Sequence, residues 1–268
     1  MKPYAIILAA DLPDPDAVAR QVKQVEPVVD GVKIGLTTVL QAGLGFVKRI
    51  REAVAGKPIL LDLKVADIGH RGISGWEGTN AKIVGSLKHT GATHVTVHGF
   101  PGPASLAEAV AAAHECGIHV LALPIMSHAS ADLFFSQRLS RAELAAKAEV
   151  AGVDISTASL AASVPIRDGI IALGEAIGVG GYIGPATDPT SLAEIRRLTS
   201  KPIWCPGFGR QDRLGRDLET QFRDWARVAG PQSAAIVGSL IFGSPDPFTQ
   251  ASRIKETRDK VVASLSSS

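Results

Sequence analysis

Short apolar runs alternate with longer amphipathic stretches from one end of the chain to the other. Because nearly every position in these runs is apolar, we expect both faces of each strand to be buried, as in a parallel sheet that is covered by helices. Eight such runs are present: Ala5–Ala10, Gly31–Gly35, Pro58–Lys64, Thr93–His98, His119–Leu123, Gly180–Gly184, Pro202–Cys205 and Ala234–Gly238.

The stretches between the runs begin with the residues that favour helix starts, namely Asp14 before Pro15, and serines at Ser105, Ser140 and Ser191. Eight strand–helix units without a break in composition predict class α/β and a closed (β/α)8 TIM barrel, rather than an open doubly wound sheet.

The predicted barrel is a single domain over residues 1–264, and residues 265–268 are expected to form a frayed tail. One connection, Phe134–Ser163, is longer than a single crossover helix requires, so we expect two helices there.

Composition and charge exclude several classes of protein. A hydrophobic fraction of 46% with 20% charged residues is typical of a globular enzyme, and a net charge of +2 predicts neither a nucleic-acid nor a membrane partner. No apolar run approaches the ~20 residues of a membrane-spanning helix, and no apolar leader precedes the first strand. Cys116 and Cys205 lack the spacing of a metal site, so we expect a reducing, cytoplasmic location.

Charged residues stand where the active site of a barrel is expected, at the carboxyl ends of the strands. Asp11 follows the first strand, Lys33 lies in the second, and Asp62 and Lys64 end the third, with Asp67 just beyond. The period of two places Asp62 and Lys64 on the same face. A structural ion pair is the alternative, but the convergence of Asp11 and Lys33 on the same rim favours a catalytic site.

The motif Asp62-Leu63-Lys64-Val65-Ala66-Asp67-Ile68 resembles the Asp-x-Lys-x-x-Asp signature of the orotidine monophosphate decarboxylase superfamily. Further segments, in the same order along the chain, resemble its archaeal-type members: Ala10-Asp11, Val32-Lys33-Ile34-Gly35, His98-Gly99-Phe100-Pro101-Gly102, Met126-Ser127-His128, Gly184-Pro185-Ala186-Thr187 and Pro206-Gly207-Phe208-Gly209-Arg210-Gln211.

The resemblance implies decarboxylation of orotidine 5'-phosphate to UMP in de novo pyrimidine biosynthesis, by a homodimer that needs no cofactor and no metal. It also implies that Lys64 stabilises the carbanion at C6 and protonates it, while Asp62 lies beside the departing carboxylate and holds Lys64. By the same resemblance, Asp67 and Thr79 reach the neighbouring subunit's site.

The remaining residues are expected to bind the substrate. Asp11 and Lys33 would hold ribose hydroxyls, with Lys33 also in the catalytic array, and Ser127 would contact the pyrimidine. Pro206 is a further expected substrate-binding residue, and the expected phosphate-binding residues are Gly207, Gly209, Arg210, Gln211, Gly238 and Ser239.

Three features depart from the family pattern. Residues 69–76 are inserted after the catalytic motif, and Thr96 replaces an aliphatic residue of the pocket around the departing carboxylate. Ser239 stands where the family has a phosphate-binding arginine. An arginine can grip phosphate from a neighbouring loop, so Arg210 or Arg213 is expected to replace the missing charge, unless these arginines form a solvated face.

Two other functions stay open at this stage. Related sugar-phosphate decarboxylases and aldolases use magnesium with an acidic residue at the end of the second strand, where this chain has Lys33; a cation there disfavours a divalent ion. A barrel that binds nucleotides but has lost catalysis is the second alternative, motivated by Ser239. His98 ends the fourth strand and is expected to be structural.

Overall fold

A computed structural model of the chain describes residues 1–54, 56–70, 77–126, 129–156, 160–212 and 214–266. The strands in these ranges are β1 (Ala5–Ala10), β2 (Gly31–Gly35), β3 (Ile59–Val65), β4 (His94–His98), β5 (His119–Leu123), β6 (Arg138–Ser140), β7 (Ser163–Pro165), β8 (Gly181–Ile183), β9 (Ile203–Pro206) and β10 (Ala234–Val237). The helices are α1 (Pro15–Val25), α2 (Leu36–Ala42), α3 (Gly45–Ala53), α4 (Thr79–Gly85), α5 (Pro103–Glu115), α6 (Asp132–Phe135), α7 (Arg141–Val150), α8 (Ile166–Ile177), α9 (Pro189–Leu198), α10 (Leu218–Ala229), α11 (Ser239–Phe242) and α12 (Pro247–Ser266).

Eight of the strands close into a parallel barrel in the order β1-β10-β9-β8-β5-β4-β3-β2. The predicted (β/α)8 fold is therefore confirmed. Each predicted strand agrees with an observed barrel strand to within one residue at either end. Helices cover the outside, so the two faces of each strand are buried in different cores.

The alternation along β1 shows how the two cores are built. Ile6 and Leu8 pack outward against the helices, whereas Ile7 and Ala9 point into the barrel. Strand pairing aligns Ala9 with Lys33 of β2, which in turn aligns with Leu60 of β3. This register brings the Lys33 side chain into the barrel interior rather than into the helix layer.

Two of the predicted helix starts are confirmed and two are wrong. Asp14 and Ser140 cap α1 and α7, but Ser105 and Ser191 lie inside the first turns of α5 and α9. Those two helices begin earlier because a proline, whose fixed φ suits the first helical position, stands at Pro103 in α5 and likewise at the start of α9.

The connection Phe134–Ser163 also differs from the prediction of two helices. In its described parts, residues 134–156 and 160–163, it contains one complete helix, α7, between the strands β6 and β7, which pair as an antiparallel ribbon. The second helix, α8, begins beyond it at Ile166. The ribbon forms because residues far apart in sequence meet, a pairing that no local pattern announces.

The end of the described chain is helical. Helix α12 continues to Ser266, and Leu265 packs against the core, while the frayed tail over 265–268 stays a prediction because residues 267–268 lie outside the described residues. The buried Arg258 of this helix donates to the carbonyl of Tyr4 and lies 3.6 Å from Asp30, which ties α12 to the start of the barrel. The single-domain organisation over 1–264 stays a prediction.

Candidate active site

A cavity of about 620 Å³ opens at the carboxyl ends of the barrel strands. Strands and loops from opposite sides of the barrel supply its walls, as expected for a barrel active site. Residues predicted for the site that line this cavity are Asp11, Lys33, Asp62, Lys64, Pro206, Gly207, Arg210, Gln211, Gly238 and Ser239.

Four of these side chains form a row of alternating charge. The Nζ atom of Lys33 lies 2.6 Å from Oδ2 of Asp11 and 3.4 Å from Oδ2 of Asp62. The Nζ atom of Lys64 donates to Oδ1 of Asp62 over 2.8 Å. Each charge therefore has an opposite neighbour, and for Lys33 and Asp62, which are largely buried, these neighbours compensate for removal from water.

Asp62 lies at the centre of this row and is mostly buried. Burial by itself would raise the pKa of Asp62. The nearby ammonium groups of Lys33 and Lys64, and hydrogen bonds from Lys64 and Thr96, lower it by more. The pKa of Asp62 therefore lies below its ordinary value. The carboxylate is consequently ionised at neutral pH and can face the substrate as a negative charge.

The backbone that carries Asp62 and Lys64 is irregular. The register of β3 with β4 shifts after Leu61, so that residues 62–64 stand opposite the single residue Thr96. Lys64 has a φ of 50°, in the left-handed region, which costs a residue with a Cβ about 1–2 kcal/mol. Packing and hydrogen bonds hold this strained backbone, and such strain is concentrated at functional sites.

Close approach of the chain to Asp11 requires glycine at position 35. A Cβ built on Gly35 would lie 2.3 Å from Oδ1 of Asp11, in the space that the carboxylate needs to reach Lys33. The sequence motif around Lys33 does not reveal this role of Gly35, because the role depends on contact between two strands.

Asp67 and Thr79 do not line the cavity of their own chain. Asp67 is exposed, and its carboxylate makes no ion pair with any residue that the structure describes. Its backbone is nevertheless held firmly, since its N–H donates to Oδ1 of Asn80 and its carbonyl accepts from Oγ of Ser105. Sequence reasoning missed this clamp because it interpreted Ser105 as a helix cap.

The far wall of the cavity is formed by the segment after β9 and the start of α11. Gly207 has a φ of 114°, and a Cβ there would lie 2.6 Å from Cγ2 of Thr187, so no other residue fits without rearrangement. Gly209, by contrast, lies outside the cavity lining, and its N–H donates to Oε1 of Gln221 over 2.8 Å.

The arginines of this segment differ in their availability. Arg210 is exposed at the cavity wall, with its guanidinium close to Gly243 after α11. Arg216 is engaged by Asp212, Asp224 and the carbonyl of Ala186, which leaves it structural. Arg213 and Ser127 lie outside the described residues.

His98 matches the structural role expected from the sequence. Its side chain is buried beside Phe100, with ring centroids 4.9 Å apart, and it does not line the cavity. Burial lowers the pKa of His98, and Lys64 lowers it further although Asp62 acts in the opposite direction. The ring is therefore neutral at physiological pH.

Comparison of the sequence with known proteins identifies the family of this chain. The sequence profile of the orotidine 5'-phosphate decarboxylase / HUMPS family matches residues 4–254. The chain belongs to this family. The orotidine 5'-phosphate decarboxylase of Methanococcoides burtonii is 28% identical over 255 residues, which are 94% of this chain and 96% of that protein.

Solved structures of this family resemble the whole chain. The orotidine 5'-monophosphate decarboxylase of Methanocaldococcus jannaschii in complex with the inhibitor BMP has a TM-score of 0.74 at 26% identity, covering 97% of this chain and all of that one. The decarboxylase of Pyrococcus horikoshii has a TM-score of 0.70 at 25% identity, covering 95% and 99%. The family predicted from the sequence motif is thus confirmed.

The left-handed backbone conformation of Lys64 predicts how glycine and alanine at this position affect the free energy of unfolding. We expect Lys64→Gly to have a free energy of unfolding about 1 kcal/mol higher than Lys64→Ala, because only alanine has a Cβ that opposes this φ. Urea denaturation of both variants measures the difference. Lys82, exposed in α4, is the control, and there alanine should be the more stable by about 1 kcal/mol. Alanine ranking above glycine at both positions would contradict the strained conformation.

Proposed function

We propose that this chain decarboxylates orotidine 5'-phosphate to UMP without a cofactor, as a step of de novo pyrimidine biosynthesis. The observation that carries the proposal is the row Asp11–Lys33–Asp62–Lys64 in the mouth of the barrel, in a chain that belongs to the decarboxylase family over most of its length. The full-length relatives, named as orotidine 5'-phosphate decarboxylases, support the same substrate.

The row suits the chemistry of this reaction. Breaking the bond between C6 and the carboxylate leaves the electron pair on C6, where no adjacent carbonyl accepts it. The Lys64 ammonium stabilises this carbanion and then donates a proton to C6, which yields UMP and CO₂. Asp62 lies where its charge opposes the substrate carboxylate and holds Lys64 in place over 2.8 Å. A site arranged before the substrate arrives stabilises the transition state without reorganising.

The magnesium-dependent alternative requires a cation between carboxylates. That place is taken by the Lys33 ammonium, which contacts Asp11 and Asp62 at once. The two carboxylates together therefore do not fit a divalent ion, since binding one would require Lys33 to leave its buried position. The alternative of a nucleotide-binding barrel that has lost catalysis is disfavoured, because a strained backbone at Lys64 lowers stability and would serve no purpose without catalysis.

The dimer belongs to this proposal. Asp67 is held by its backbone, and its exposed side chain does not line the cavity of its own chain, as expected for a residue that serves the neighbouring subunit. Ile68, next to Asp67, and Phe100, which follows β4, have exposed apolar side chains that provide area for an interface. Asp67 and Thr79 then complete the site of the partner.

Arg210 is proposed to supply the phosphate charge that Ser239 lacks. It is exposed at the cavity wall, with its guanidinium close to Gly243 after α11 and with Gln211 next to it in the chain. Among the described residues, Arg210 is the arginine that lines the cavity. Arg216, on the same segment, is paired with Asp212 and Asp224 instead. Binding the remote phosphate contributes to transition-state stabilisation.

A cytoplasmic location is proposed from the two cysteines. Cys116 and Cys205 are both free thiols, and Cys205 is buried. Among the described residues, no helix has the length and apolar character needed to cross a membrane.

The proposed activity predicts that purified protein converts orotidine 5'-phosphate to UMP at the same rate with and without EDTA. We expect Lys64→Ala to lower kcat by at least roughly 1,000-fold, because the proton donor is lost. The exposed Lys82→Ala serves as the control and should retain wild-type activity. Activity that EDTA abolishes, or that survives in Lys64→Ala, would overturn the proposal.

The shared site predicts complementation between inactive variants. Lys64→Ala and Asp67→Ala chains mixed after reversible unfolding form heterodimers in which one site carries both lesions and the other neither. We expect about a quarter of wild-type activity from an equal mixture, given random pairing of a two-fold dimer. Native mass spectrometry checks that heterodimers form. Heterodimers without recovered activity would place Asp67 in the site of its own chain.

If Arg210 binds the phosphate, its removal should weaken binding only of a substrate that carries the phosphate. We expect Arg210→Ala to raise KM for orotidine 5'-phosphate at least about tenfold while sparing the slow reaction of phosphate-free orotidine. Arg227→Ala, an exposed arginine on α10, is the control. Arg213→Ala is measured in parallel. A change in kcat/KM below threefold for both Arg210→Ala and Arg213→Ala would rule out the relocated charge.

A further inference from the structure

Thr96 lies in the middle of β4, fully buried, opposite the irregular segment of β3. Its Oγ1 atom accepts a hydrogen bond from the backbone N–H of Lys64 over 2.8 Å and donates one to Oδ1 of Asp62 over 3.0 Å. A hydroxyl has one hydrogen to donate and two lone pairs, so both contacts form at once. One atom thereby contacts two residues of the charged row.

The first contact replaces part of the strand ladder. In a regular parallel pair the N–H of Lys64 would donate to a backbone carbonyl of the next strand, but the register shift leaves three residues of β3 opposite one of β4. The Thr96 hydroxyl accepts that N–H instead. A buried N–H without a partner is strongly destabilising, so this hydroxyl favours the left-handed conformation of Lys64 over a regular strand.

The second contact closes a ring. Oδ1 of Asp62 accepts from Thr96 and also from Nζ of Lys64, so three hydrogen bonds connect the Lys64 backbone, the Thr96 hydroxyl, the Asp62 carboxylate and the Lys64 ammonium. Rotation of either charged side chain would break at least one of these bonds. The ring is buried on the β4 side, where few waters could take over a lost bond.

We propose that Thr96 is a positioning residue that holds the bulged segment 62–64 and thereby sets the geometry of the Asp62–Lys64 pair. It does not line the cavity formed by the described residues, so it acts through its neighbours rather than on the substrate. The kinetic consequences of this inference rest on the proposed decarboxylase function. Its structural consequences rest only on the backbone geometry at residues 62–64.

The kinetic test compares Thr96→Val, which keeps the shape and removes the hydroxyl, with Thr96→Ser, which keeps the hydroxyl. We expect Thr96→Val to lower kcat roughly 10- to 100-fold with KM changed less than about threefold, the range for losing a hydrogen bond to a charged group. Thr96→Ser should stay within about threefold of wild type. Thr93→Val is the matched control, because Thr93 hydrogen-bonds to Ile59 at the other end of the same strand pair.

The pH profile separates positioning from general destabilisation. The Thr96 hydrogen bond favours the ionised form of Asp62, so its loss raises the pKa of Asp62 and moves the acidic limb of the kcat profile to higher pH. The other charged or titratable groups facing Asp62 are Lys33, Lys64 and His98, with Asp11 behind Lys33. All of them remain in every variant, so a shift seen in Thr96→Val and absent from Thr96→Ser and Thr93→Val arises from the lost hydroxyl.

Crystal structures of the variants provide a readout that needs no activity. We expect Lys64 to leave its positive φ in Thr96→Val and to keep it in Thr96→Ser. A wild-type protein that fails to decarboxylate orotidine 5'-phosphate would overturn the proposed function, while these structures would still decide the role of Thr96. Unchanged Lys64 geometry in Thr96→Val would overturn the positioning role. If Thr96→Val does not fold, a tenfold or greater loss of kcat in folded Thr96→Ser would overturn it as well.

Discussion

The ammonium group of Lys33 lies between two carboxylates inside the barrel, and the arrangement of the whole site depends on this contact. A buried lysine is tolerated only where opposite charges replace its water, and here Asp11 and Asp62 do so. The same lysine holds Asp62 ionised, and Asp62 in turn holds Lys64. The two buried charges, Lys33 and Asp62, are stabilised by these neighbours, so the four side chains of the row depend on one another.

Holding such a row requires a rigid frame, and the barrel provides it where the ladder between β3 and β4 is irregular. Parallel strands would normally alternate their side chains without interruption. The bulge at residues 62–64 departs from that pattern and places Lys64 in a strained backbone conformation. A site whose charges are fixed before the substrate arrives has little reorganisation left to make during the reaction, which is the physical basis of electrostatic catalysis.

The rim of the barrel carries two of the three departures from the family pattern, whereas the charged centre matches the motif. Ser239 and Arg210 both line the cavity, and the other departure follows Asp67 in the chain. Loops tolerate such changes because their ends are anchored by the strands. The buried side chains of Asn80 and Ser105 hold the Asp67 backbone directly by hydrogen bonds.

The amino-acid sequence by itself determined the eight barrel strands, because continuous apolar runs bounded by glycine and proline are a local signal. It also determined the site at the carboxyl ends of those strands, where Asp11, Lys33, Asp62 and Lys64 stand out as charges in apolar surroundings. Its motif identified the family.

Only the tertiary structure decided the bulge at Lys64, the double hydrogen bond of Thr96, the β6–β7 ribbon and the N–H of Gly209 that donates to Gln221. Each of these depends on which residues of distant segments face one another. Strand register and side-chain contact between segments are set by packing of the whole barrel, and no local pattern of residues contains them.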